Sequence, residues 1–125
     1  MDIFSLASVH SSWGIARQSV IATNIAHADT PGYKAKDIAA FSAEVKAANL
    51  RVKTTHANHI QPSGAAAAGY SSETESPWEI SHSGNSVTLE QELLKSGAVQ
   101  REMSLNHAIV KSFHRMMLAG LRTQG

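Results

Sequence analysis

The chain has 125 residues; 42% are hydrophobic but only 6% aromatic, and much of the apolar content is alanine, which fills little core volume. A formal net charge of +1, with the basic residues scattered, leaves no electrostatic footprint for nucleic acid or an anionic membrane. The absence of cysteine excludes a disulfide framework, thiolate metal sites and cysteine nucleophiles.

At the N-terminus, Met1-Asp2-Ile3-Phe4 places an acid where a cleavable signal peptide needs basic residues. Ser8, His10, Ser11 and Ser12 then interrupt any apolar run. No stretch reaches the roughly 18–20 apolar residues of a spanning helix. If the protein is exported, it is expected to leave without a conventional signal peptide.

Leu6, Val9, Trp13, Ala16 and Val20 follow a 3-4-3-4 spacing, which predicts an amphipathic helix from Phe4 to Ala28 with a narrow, coiled-coil-like seam. Ile21 and Ile25 widen the stripe, and Gly14 weakens the helix by roughly 1 kcal/mol relative to alanine. The helix must stop near Asp29-Thr30-Pro31-Gly32, because Pro31 drives Thr30 out of helical geometry. Pro31-Gly32 suits the centre of a type II turn, with Gly32 at positive φ and the chain leaving through Tyr33.

The middle segment, residues 34–85, is polar and weakly patterned. Asp37 to Ala48 predicts a short helix, and the alternation in Leu50-Arg51-Val52-Lys53-Thr54 predicts an extended piece. The run from Gly64 to Gly69 followed by Tyr70-Ser71-Ser72 reads as loop or disorder. Pro77-Trp78-Glu79-Ile80 is an apolar anchor, with Trp78 expected to dock on the helices or on a neighbouring subunit.

The third segment, residues 86–125, predicts a helix from Thr88 to Leu121. Thr88 and Gln91 have capping-box spacing, and Glu90 and Glu92 place acids in the first turn. Leu94, Ala98, Leu105, Ile109, Phe113, Met116 and Met117 mark a broad apolar face. Lys111, His114, Arg115 and Arg122 gather at the end, where positive charge suits the helix dipole.

The expected fold class is mainly α, with long N- and C-terminal helices pairing as a coiled-coil-like bundle. They form one domain, bracketing an extended or partly disordered middle. Each helix keeps apolar residues that a single partner cannot cover, which implies contact with other subunits.

Catalytic, cofactor and metal sites are not expected. His56 and His59 have zinc-compatible spacing but no converging ligands, and His107 and His114 are too far apart along a helix for one ion. Ser83-Gly84-Asn85-Ser86 reads as a turn leading into a helix, and Glu90, Glu92 and Glu102 as solvated helix positions. No nucleophile elbow, phosphate loop or dinucleotide fingerprint is present, so no small-molecule substrate or nucleic-acid partner is expected.

The stretch Ala22-Thr23-Asn24-Ile25-Ala26-His27-Ala28-Asp29-Thr30-Pro31-Gly32-Tyr33-Lys34-Ala35 resembles the N-terminal signature of flagellar axial proteins. Its continuation through Lys36-Asp37-Ile38 is most similar to the rod proteins of the FlgB type. Thr55-His56, His59-Ile60 and Gly84-Asn85-Ser86-Val87-Thr88-Leu89-Glu90 resemble further parts of that family. His27 stands where the family usually has asparagine.

The resemblance implies a structural subunit of the proximal rod of the flagellar basal body, in the periplasm, exported unprocessed through the type III apparatus. Its implied partners are copies of itself, other rod subunits, the rod-ring adaptor, the membrane ring and the export gate. It points to Asn24, Asp29, Thr30, Pro31, Gly32 and Tyr33 as the turn motif. The subunit-packing helix face is expected at Leu6, Val9, Trp13, Val20, Leu94, Leu105, Ile109, Phe113 and Met116. The two-helix pattern alone also admits a free helical adaptor or export-linked regulator.

Overall fold

The computed structural model describes residues 2–49, 70 and 72–123. The elements in order are α1 (Ile3–Ala26), β1 (Lys36–Ile38), α2 (Phe41–Asn49), β2 (Ser72–Thr74) and α3 (Leu89–Arg122). The molecule is mainly helical, and its two long helices lie side by side as the periodicity predicts.

Helix α1 opens on Asp2, whose carboxylate accepts from the Ser5 backbone N–H at 2.8 Å and satisfies one of the orphan donors of the first turn. It ends at Ala26, two residues before the predicted limit, with His27 as its C-cap. Helix α3 starts after Thr88, but the expected capping box is not made. The Thr88 hydroxyl is buried without a partner, and Gln91 bonds instead to the Ser76 carbonyl and the Trp78 N–H.

The helices run antiparallel, as the cross-links along their seam show. Asn106 donates to the Ala7 carbonyl at 2.9 Å and to Ser11 at 2.8 Å. Gln18 donates to Ser96 at 2.8 Å, and Asn24 to Glu92 at 3.2 Å. Val99 and Ile21 are fully buried. At Gly14 the helices come close: an added Cβ would meet Met103 Cγ at 3.2 Å. The glycine that weakens α1 as a helix is therefore what admits the side chain of Met103.

The meeting line on α1 is Ala7, Ser11, Gly14, Gln18 and Ile21, each one or two residues on from the predicted seam. Val9 is exposed, and Leu6 and Val20 are half-buried. Trp13 is buried, but by the arm that follows the turn. Its indole N–H donates to the Ala39 carbonyl at 2.9 Å, and its ring lies 5.9 Å from that of Phe41.

The arm also corrects two expectations of the middle segment. Asp37 lies in β1, not in the short helix, which begins at Phe41. Ser72 lies in β2, antiparallel to β1 with Ile38 opposite Ser72 and Lys36 opposite Thr74. Three-residue strands carry too little alternation to be read from sequence. The predicted extended piece at Leu50–Thr54, the alanine-glycine run and the His56/His59 pair lie outside the described residues. Trp78 does not dock on the helices; the residue is 64% exposed while its backbone N–H is held by Gln91.

Candidate functional site

The turn after α1 is built as its sequence predicts. Tyr33 N–H bonds to the Thr30 carbonyl at 3.2 Å, and Gly32 has φ of 73°, the left-handed region that a type II turn needs at its third position. The segment before α3 holds this turn in place. Gly32 N–H donates to the Ser83 carbonyl at 2.8 Å, and Ser86 N–H to the Tyr33 carbonyl at 3.0 Å. Gly84 also takes positive φ, at 79°.

Asn85 is the centre of this arrangement. Its side-chain nitrogen lies 2.8, 3.0 and 2.7 Å from the carbonyls of His27, Ala28 and Thr30. Two N–H groups thus serve three carbonyls between the end of α1 and the turn, of which those of His27 and Thr30 also accept from the N–H of Thr30 and Tyr33. Ser86 adds its hydroxyl, accepting from Ala35 N–H at 2.8 Å. His27 stacks on Tyr33 with ring centroids 4.5 Å apart and planes 8° from parallel. Asp29, Thr30 and Pro31 are exposed on the outer side of the turn.

Below the turn lies a buried polar clasp. Asn24 is fully buried; its amide nitrogen donates to the Lys36 carbonyl at 2.6 Å and to Glu92, and its oxygen accepts from Lys36 N–H at 3.1 Å. Tyr33 O–H lies 3.4 Å from the same oxygen. One side chain thereby ties α1 to both backbone polar groups of Lys36 in β1 and to α3. Glu92 is 0% exposed, which corrects its reading as a solvated helix position: its acid group is held by Asn24 and by Lys95 at 3.3 Å.

Around them, Arg17 makes a two-point contact with Asp37, both distances 3.1 Å, and its guanidinium lies over Trp13. Lys95 reaches Glu75 at 2.6 Å and Asp37 at 3.5 Å. Burial pushes the Asp37 carboxyl up, but the hydrogen bonds and charge of Arg17, with the charge of Lys95, outweigh it and hold the group below its ordinary 3.8. Glu75 goes the other way, up to about 7, because burial and the neighbouring Glu92 outweigh Lys95. Among the described residues no group of three or more acids and histidines is arranged to hold a metal ion. Lys95 sits where the three carboxylates come together.

The sequence reading placed Asn24 in the turn motif but missed Arg17, Asp37, Asn85, Glu92 and Lys95. One signal was present: His10, Arg17 and Asn24 recur every seven residues on α1, a regular polar line beside the predicted seam rather than scattered surface positions.

The predicted apolar face of α3 is outside. Leu94, Leu105 and Met116 are exposed by about three fifths, and Ile109 and Phe113 by about two fifths. These residues lie roughly a third of a turn from the line that meets α1, at about 100° per residue. The inner line contains Glu92, Ser96, Val99, Met103 and Asn106, three polar residues among five, so α3 turns its more polar side to its own chain and its more apolar side away. The first turns of α1 border α3 at His107 and Val110, and every described residue from Lys111 onward is exposed. The helix therefore projects about three turns, roughly 18 Å, past the end of α1.

Over 122 residues the chain is 38% identical to the flagellar basal body rod protein FlgB of Agrobacterium fabrum (strain C58), an alignment covering 94% of this chain and 91% of that protein. No protein-family profile matches the chain.

Proposed function

The chain belongs to the family of flagellar basal body rod proteins of the FlgB type, and we propose that it builds the proximal rod, packing with copies and relatives of itself into a helical tube. In this reading it joins the membrane ring to the distal rod, transmits torque, and lies in the periplasm. It reaches that position through the type III export gate and meets the rod-ring adaptor there. A flagellar rod protein is a structural component and not a member of an enzyme family.

The observation that carries the proposal is the inverted polarity of α3. A helix of a self-contained bundle turns its apolar stripe inward. Here Leu94, Leu105, Ile109, Phe113 and Met116 run along an uncovered face and continue onto an overhang that has no partner among the described residues. Neighbouring subunits would cover this face, joined by Leu6, Val9 and Val20 at the flank of α1. Trp13, grouped with them by spacing, is already used within the chain to seat the arm.

The turn and clasp suit a load-bearing part. They brace the α1 end with backbone bonds, an amide serving three carbonyls and a two-point ion pair, tying the turn and β1 to α1.

The proposal is tested by quantitative mass spectrometry of detergent-extracted basal bodies. A few copies per particle, retained with the ring and the other rod proteins, are expected. Absence from otherwise complete rods would refute the role.

A further inference from the structure

Glu75 follows β2 and turns inward, leaving only 7% of its side chain exposed. Five ionisable groups meet there: Asp37 on β1, Glu75, Glu92 and Lys95 on α3, and Arg17 on α1. Glu73 and Lys36, the remaining charged groups of the two strands, are exposed. With every group ionised, three acids face two bases, which leaves one negative charge unbalanced in a largely dry site.

The hydrogen-bond pattern has a matching gap. Glu75 Oε2 is buried without a partner, and the buried Glu92 Oε1 has the Lys95 ammonium at 3.3 Å as an ion pair but no hydrogen-bond donor. Both carboxyl groups lie against the same ammonium, at 2.6 and 3.3 Å. Two carboxylates so placed repel each other and leave acceptors unfilled. One proton cancels the excess charge and supplies the missing donor.

We propose that Glu75, set against Glu92 and Lys95, is a proton-operated latch: protonated, it fastens the β1–β2 arm to α3, and ionised, it lets the arm loosen. Detachment of β2 would release the bond from Glu75 N–H to the Ala35 carbonyl, 2.9 Å long, and with it the pairing of the two strands.

The direction follows from linkage. The attached Glu75 titrates at about 7 and an ordinary glutamate at 4.5. The contribution of Glu75 to attachment is therefore fully present below about pH 4.5 and is lost as pH rises through about 7. Asp37, held below its ordinary value, weakens the site only at much lower pH and does not contribute near neutrality.

The test is amide hydrogen exchange on the full chain, read as protection factors so that the intrinsic pH dependence of exchange is removed. In the wild type, protection of the amides in β1, in β2 and at Glu75 is expected to fall at least about tenfold between about pH 5 and about pH 8. Protection at Val99 should stay level over the same range. Glu75→Gln, which keeps a donor and cannot ionise, should make the arm insensitive to pH. Glu92→Gln should move the loss of protection to lower pH. A carbon-13 carboxyl titration of Glu75 in the wild type serves if either variant fails to fold. Level protection of the wild-type arm, an unchanged fall in Glu75→Gln, or a Glu75 carboxyl titrating near 4.5 would overturn the latch.

Discussion

Asn24 and Glu92, 68 residues apart in sequence, are both fully buried and joined by a hydrogen bond of 3.2 Å. The carboxyl group is costly to bury and is accepted because Asn24 and Lys95 hold it. Asn24→Leu would strip Glu92 of its donor and leave the Lys36 N–H and carbonyl unpaired. A loss of about 2–4 kcal/mol is expected. It is read from the urea midpoint by far-ultraviolet circular dichroism. An unshifted midpoint would mean that water replaces the amide at no cost.

The turn separates two kinds of constraint. Gly32 has φ of 73° and open space around an added Cβ, so Gly32→Val tests backbone strain alone. About 1–2 kcal/mol is expected. Pro31→Ala changes mainly the unfolded chain and should cost less, about 0.4–1 kcal/mol. Asn85→Ala removes the side-chain donor from the Ala28 carbonyl and the second donor from those of His27 and Thr30, and should cost about 1–3 kcal/mol. If Gly32→Val proved as stable as the wild type, the left-handed turn would not be needed.

Acid should weaken the clasp through Asp37. Its folded carboxyl titrates below 3.8, so its contribution is present above that value and is lost as pH falls through the lower, folded value. Glu75 adds no slope there, because it is protonated in both states well below 4.5. Denaturation midpoints measured between about pH 3.5 and about pH 2 should fall in the wild type. In Asp37→Asn the fall should be shallower and start from a lower midpoint. Parallel curves would place the acid sensitivity elsewhere.

The helices and the turn were legible because their signals are local. A 3-4 spacing, a Pro-Gly pair and a run of positive charge at a helix end each act within a few residues. The partner of each face was not local. Spacing shows that Leu105 and Ile109 share a side of α3, but the side chosen by α1 depends on Gly14 admitting Met103 and on Asn106 reaching Ser11. Trp13 looked like seam because it is large and in phase; its indole N–H instead found the Ala39 carbonyl. Glu92 looked solvated because it is charged, and only the placement of Asn24 and Lys95 makes its burial tolerable.

Leu105 distinguishes the fold of one chain from its assembly. The residue is 62% exposed, on the uncovered face of α3. Leu105→Asp should therefore leave the isolated protein almost unchanged, within about 0.5 kcal/mol in stability. In the rod the same carboxylate would be buried against apolar neighbours without a partner, at a cost of several kcal/mol. Normal expression with loss of swimming, and loss of the subunit from isolated basal bodies, are the expected results. Val99→Asp is the control, because Val99 is fully buried between α1 and α3 and its substitution should unfold the chain itself. Wild-type swimming and copy number in Leu105→Asp would move the packing surface off this face and onto the flank of α1.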